Sequence, residues 1–164
     1  MALDIMQWLT ESELGRLSFT ALVSMLPVVE LRGAIPFGHN VLGLGIWSTF
    51  FAAVLGNLFP VPFIIVYIRR IFQWLRRSWP DLNSIVDKLE RKAHLKGRKV
   101  SKYKYLGLMI LVAIPLPGTG AWTGALAAAF LDMPLRRALP AIGIGVLIAG
   151  VSIGILSFGL GAMF

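Results

Sequence analysis

The sequence predicts an all-α polytopic membrane protein built as an inverted repeat. Each half is a re-entrant helical hairpin followed by a long transmembrane helix, with a cytoplasmic amphipathic helix between the halves. Three observations carry this expectation. Hydrophobic residues fill 57% of the 164 positions and charged residues 15%, with a mean hydropathy of +0.76, where a soluble domain would be nearer about a quarter charged. Of 16 Lys and Arg, 12 lie between Arg69 and Lys104, against three acids there, so one loop carries essentially all of the net charge of +8. Each apolar half is also interrupted by a Pro/Gly cluster, Pro27–Pro36 in the first and Pro115–Gly124 in the second.

The chain is expected to form one membrane domain, 1–164, divided into a first repeat, 1–68, a basic loop, 69–104, and a second repeat, 105–164. Lys and Arg concentrate in loops that stay in the cytoplasm. That places the basic loop inside a multi-pass protein of the inner (plasma) membrane, where anionic headgroups attract it by roughly 1 kcal/mol per basic residue. Topology thus accounts for the charge, and no nucleic-acid partner is expected. There is no cysteine, hence no disulfide framework. Asp4, Glu11 and Glu13 stand where a signal peptide would need a basic region, and Met1–Arg16 reads as a short interfacial segment outside the cytoplasm.

The run Leu17 to Val29 is apolar apart from Ser18, Thr20 and Ser24. At about 1.5 Å per residue it reaches roughly 20 Å, short of the ~30 Å hydrocarbon core. Pro27, Glu30, Arg32, Gly33 and Pro36 follow. Proline breaks a helix and glycine permits a tight turn, so an entering arm, a break and a returning arm are expected through Phe37. Asn40 to Ile68 is the first crossing, 29 positions whose interior polar residues are Ser48, Thr49 and Asn57. It is long enough to tilt or to be interrupted at Pro60 and Pro62. In the basic loop, Pro80 and Asp81 precede a helix expected from Leu82 to about Leu95. Its Leu82, Ile85, Val86 and Leu89 keep the i, i+3, i+4, i+7 spacing. Such a helix lies on the membrane surface or covers the protein's own cytoplasmic face.

Tyr105 to Leu131 is again apolar, but Ile114–Gly124 holds two prolines and three glycines within its first stretch and cannot stay one helix. If this segment turns back, Arg136 and Arg137 remain on the cytoplasmic side with the other basic residues, so re-entry is expected. Ala138 to Phe164 is the last crossing, with Gly143, Gly150 and Gly154 placed for close approach of another helix. Setting Pro27 against Pro115, 88 residues apart, aligns hairpin with hairpin and crossing with crossing. One crossing per half makes the halves opposite in orientation, a plan recurrent among secondary transporters. Broken backbone at that depth survives only beside protein or a polar cavity.

Two stretches, Val29–Pro36 and Ile114–Gly124, resemble those of the bacterial and archaeal small multi-drug export protein family, and the resemblance covers essentially the whole chain. More distantly it is similar to the DedA/VTT superfamily. Those proteins pair two re-entrant hairpins and are associated with transbilayer movement of polyprenyl-phosphate or phospholipid and with proton-coupled transport. They carry functional arginines in their second half, where Pro115–Gly124 has no charge.

The candidate site follows from the residues. Glu30 is costly inside a membrane unless paired, and intramembrane ionisable residues mark function by default. It is expected to carry a proton or cation, with Arg32 as its partner and as a fork for a phosphate or carboxylate. Residues two apart on a regular helix diverge, so their pairing requires the break. Gly33, Pro36, Pro115 and Pro117 shape the two turns. Gly118, Thr119 and Gly120 expose amides ahead of a half-helix beginning near Ala121, a natural anion site. Trp122 is placed to line the path, and Asn57 and Thr123 to line the cavity. The plainer alternatives are a charge pair that pins the hairpin, glycines that serve packing, and an Asn57 that bonds the carbonyls freed by Pro60 and Pro62. His39 reads as interfacial.

No nucleophile set, metal-spaced cluster or phosphate loop is present in the sequence, so neither an enzyme nor a cofactor is expected. The function expected is alternating-access transport of a small amphiphilic or anionic substrate, drug-like or lipid phosphate, coupled to protons or cations. A homodimer is expected because two crossings enclose little. The alternative is a scaffold or assembly protein acting through its basic loop.

Overall fold

The computed structural model describes residues 12–78, 88, 103–116 and 118–159. The expected interfacial segment before Ser12, most of the loop helix 82–95, and Pro117 lie outside the described residues; Lys88 alone of that helix is described, and it is helical. All regular elements among the described residues are helices.

Helix α1, Glu13–Met25, begins at Ser12, whose hydroxyl accepts the Gly15 N–H at 2.9 Å, satisfying one of the free donors of the first turn. It ends where Leu26 turns extended (φ −70°, ψ 130°), because the residue before Pro27 is pushed out of the helical region. After a turn over 26–29, α2 runs Glu30–Pro36 and continues into one wide π turn, Phe37–Val41. The second half repeats this. Helix α5, Lys104–Ala113, stops at an extended Ile114 (φ −78°, ψ 117°) directly before Pro115, and α6, Ala121–Phe130, follows. Glu30 and Gly118, 88 residues apart, both have positive φ, 47° and 81°.

Helices α3, Ile46–Leu58, and α4, Pro60–Ser78, follow the first hairpin, and α7, Leu135–Phe158, follows the second. Pro60 sits at the first position of α4, where its missing N–H costs little. Ile46–Ile68 and Leu135–Phe158, 23 and 24 residues, are long and apolar enough to cross a membrane. At about 1.5 Å per residue both exceed the ~30 Å core, whereas α1, α2, α5 and α6 all fall short of it.

The structure moves several expected boundaries. The first membrane-length apolar stretch begins at Ile46, because Asn40 still belongs to the π turn that follows α2 and Gly43–Gly45 make the connection. Gly33 and Pro36 lie inside α2, not in the break. The helix absorbs Pro36 by widening over Phe37–Val41, and the left-handed position falls on Glu30. The last membrane-length helix begins at Leu135, ahead of Ala138, and carries Pro140 within it. Gly143 has nothing within 4 Å, whereas Gly145 meets Met109 and Val112 of α5, and Gly150 meets Phe50 of α3.

Packing follows the same scheme in both halves. In each, the first arm lies on the long helix of its own half, α1 on α3 and α5 on α7; the second arm reaches the other half, α2 on α7 and α6 on α4. The core gathers Leu31, Ala34 and Ile35 of α2, Ala121 and Ala125 of α6, and Ile142 and Val146 of α7. Helices α1 and α3 approach until Gly56 faces the Ala21 backbone, and the Ser24 hydroxyl donates to the Ala53 carbonyl at 2.7 Å. A methyl at Gly56 would overlap that backbone. Gly56→Ala should therefore lose about 1–3 kcal/mol, read as a lower melting temperature in detergent. Gly143→Ala, into open space, should melt at or above the wild-type temperature.

Candidate functional site

The two turns meet face to face. Glu30 opens α2 with its backbone left-handed, a conformation that is uncommon for non-glycine residues. That geometry takes its side chain off the α2 stripe and leaves it only 5% exposed. Its Oε1 accepts the backbone N–H of Trp122 at 3.3 Å, in the first turn of α6. Its Oε2 lies 3.7 Å from Arg32 Nη2. The same Arg32 nitrogen donates to the Thr119 carbonyl in the opposite turn. A carboxylate at a helix N-terminus is stabilised by the unpaired amides and the helix dipole. Here the anion that fills this position belongs to the chain itself, 92 residues away.

Gly120 makes the contact possible. Its φ of 136° belongs to glycine, and a Cβ there would fall on the Glu30 carboxylate. The rest of the second turn is held by its own side chains. Thr119 Oγ1 sits 2.6 Å from the Ile114 carbonyl and 2.7 Å from that of Leu116, and accepts the Leu116 N–H. Thr123 donates to the Gly118 carbonyl at 3.1 Å. The Trp122 indole N–H donates to the Met25 carbonyl at 2.9 Å, the free end of α1. Trp122→Phe keeps the ring and removes that donor. It should cost about 1 kcal/mol of stability, measured by thermal denaturation.

Between the turns lies a cavity of about 10 Å³, room for roughly one water molecule. Of the predicted residues, Glu30, Arg32, Asn57, Pro115 and Gly120 line it. Its remaining walls are apolar and include Val112, Val146, Ala149 and Ile153. Asn57 is 1% exposed, and its side-chain oxygen has no hydrogen-bond partner. Gly33, Pro36, Gly118, Thr119, Trp122 and Thr123 are not among the lining residues; Thr119, Thr123 and Trp122 instead tie the turns to themselves and to α1. His39 is also elsewhere, bonded to the Leu44 carbonyl and packed edge-on against Phe158. A wider apolar groove, lined by Leu17, Ala21, Phe51 and Leu55 among others, opens between α1 and α3 and holds none of the predicted residues.

The amide that meets Glu30 is that of Trp122 in α6, not one of the Gly118–Gly120 amides, of which that of Thr119 donates to the Leu116 carbonyl; the Arg32 guanidinium is engaged across both turns. The Met25 carbonyl and the α7 walls were not legible as site residues, since neither a backbone carbonyl nor an alanine carries a sequence signal.

No curated protein and no solved structure matched the chain. The model of the family described as "putative small multi-drug export protein" matches residues 30–151, from the buried Glu30 through the second turn and most of α7. The chain, with its two membrane-length apolar helices, belongs to the small multi-drug export protein family.

Proposed function

We propose that the chain exports small amphiphilic molecules across the inner membrane in exchange for protons, with Glu30 as the group that takes up and releases the proton. The observation that carries this reading is the Glu30 carboxylate set between Arg32 and the N-terminus of α6, joining the two halves at their breaks. An ionised Glu30 holds the turns together; a protonated one gives up both the ion pair and most of its attraction to the helix end. Proton uptake then loosens the contact that keeps the cavity closed. The family's name, which refers to drug export, supports this reading.

The repeated packing scheme supports an inverted repeat with two re-entrant hairpins. Arms of 10 and 13 residues are too short to cross, and each half sends its second arm onto the other's long helix. A drug-sized ligand needs roughly 300 Å³ or more, so a cavity of about 10 Å³ represents the closed state of an alternating-access cycle. Opening separates Glu30 from α6, with the basic loop on the cytoplasmic side. An anionic substrate would compete with Glu30 for the same amides and the same guanidinium; a neutral or cationic amphiphile would not. Two crossings per chain favour a homodimer, with the path beside the hairpins of each copy.

The test is reconstitution into liposomes with an internal pH dye and a lipophilic fluorescent cation. Proton movement that requires both protein and substrate is expected, and its absence in the wild-type protein would sink the reading. Deleting residues 88–99 should leave this flux intact; loss of function with intact flux would favour the scaffold alternative.

A further inference from the structure

We infer that the cavity between the two turns is a site for one bound water, hydrogen-bonded to both the Asn57 side-chain oxygen and the Glu30 carboxylate, so that Asn57 is a positioning residue for Glu30. Asn57 stands on α3, the long helix of the first half, and its oxygen is buried without a partner. A buried acceptor left unmade is costly and rare in native proteins. The usual remedy is an ordered water, which needs a polar, roomy enough site and about three partners. This cavity meets each condition. Its volume is about 10 Å³, and its three polar side chains are Glu30, Arg32 and Asn57. A water there donates one hydrogen to Asn57 and the other to Glu30, and accepts from Arg32.

A small cation fits less well. The Arg32 guanidinium lines the same space, Oε1 of Glu30 already accepts from Trp122, and among the described residues no acid or histidine cluster could hold a metal. The prolines at 60 and 62 explain the choice of an amide at this point. They strip the helical donors from the Gly56 and Leu58 carbonyls, so the turn that carries Asn57 is already rich in acceptors, and water supplies donors there. The water would connect the group proposed to carry the proton to a long helix, which the direct contacts of Glu30 do not reach. Its functional consequence rests on the export reading; its presence does not.

The experiment is infrared difference spectroscopy of the lipid-reconstituted protein against pH, in ordinary and ¹⁸O-labelled water. The Glu30 carboxyl band is identified by its loss in Glu30→Gln. Expected is a water O–H band that shifts with ¹⁸O and changes together with the Glu30 band. Asn57→Leu should lose this water band, keep the Glu30 band and displace its midpoint by about one pH unit. Asn57→Ser, which keeps an acceptor, should retain the water band. A wild-type spectrum without an ¹⁸O-sensitive band, or a band that survives in Asn57→Leu, would overturn the inference. So would a midpoint that follows sodium concentration at constant ionic strength. If the leucine variant does not fold, the wild-type and serine spectra still decide. A water band in a protein without substrate-linked flux would refute the export reading and leave the water in place.

Discussion

Glu30→Gln should reduce substrate-linked proton flux to the level of protein-free liposomes while leaving the protein folded. The amide has the shape of the carboxylate, and its oxygen can still accept the Trp122 N–H that Glu30 accepts at 3.3 Å. What it loses is the charge facing Arg32 at 3.7 Å and the ability to bind and release a proton. Stability should change by about 1 kcal/mol or less, since Arg32 keeps its bond to the Thr119 carbonyl. Arg32→Ala is the complementary case. Removing one member of a buried pair typically costs about 3–5 kcal/mol by stranding the other charge, and Arg32, with its side chain 27% exposed, should fall toward the lower end. The double variant Glu30→Gln/Arg32→Ala should then be more stable than Arg32→Ala alone, because the stranded charge is gone. Wild-type flux in Glu30→Gln proteoliposomes would remove Glu30 from the coupling role; thermal melts of the three variants test the pairing separately.

Gly120→Ala should be strongly destabilising for a single added methyl. At φ 136° and ψ −167° the backbone occupies a region essentially reserved for glycine, and forcing another residue there costs about 1–3 kcal/mol. The new Cβ would also land on the Glu30 carboxylate, adding about 1–3 kcal/mol of overpacking. Together these should lower the folded yield and the melting temperature sharply. Gly118→Ala separates the two effects. Its φ of 81° is also left-handed, but nothing lies within 4 Å of a Cβ there, so only the backbone cost remains. Combining Gly120→Ala with Glu30→Gly should recover the part due to the clash. No recovery would mean that the turn is not built around the carboxylate.

Much of this architecture was legible because its causes are local. Leu26 and Ile114 leave the helix because each precedes a proline, and a steric rule between neighbours needs no tertiary information. The two membrane-length helices were legible because hydrocarbon thickness sets a length that hydropathy can measure. Local signals misplaced what they could only bracket. Glycine and proline permit a break at Gly33 and Pro36, yet both sit in α2 and the left-handed residue is Glu30. The packing around a buried carboxylate, not a residue preference, selects that conformation.

Composition and spacing are enough to show a membrane-type chain with two proline-broken apolar segments and a charge pair close after the first break. What the pair touches follows from packing. It set Glu30 on the amide of Trp122 and Arg32 on the carbonyl of Thr119, across separations of 92 and 87 residues. It left Asn57 facing a cavity the size of one water. Composition can place a charge pair beside a break in an apolar segment. Which helix end it meets depends on how the arms of each half pack against the other's long helix, and no window along the chain contains both.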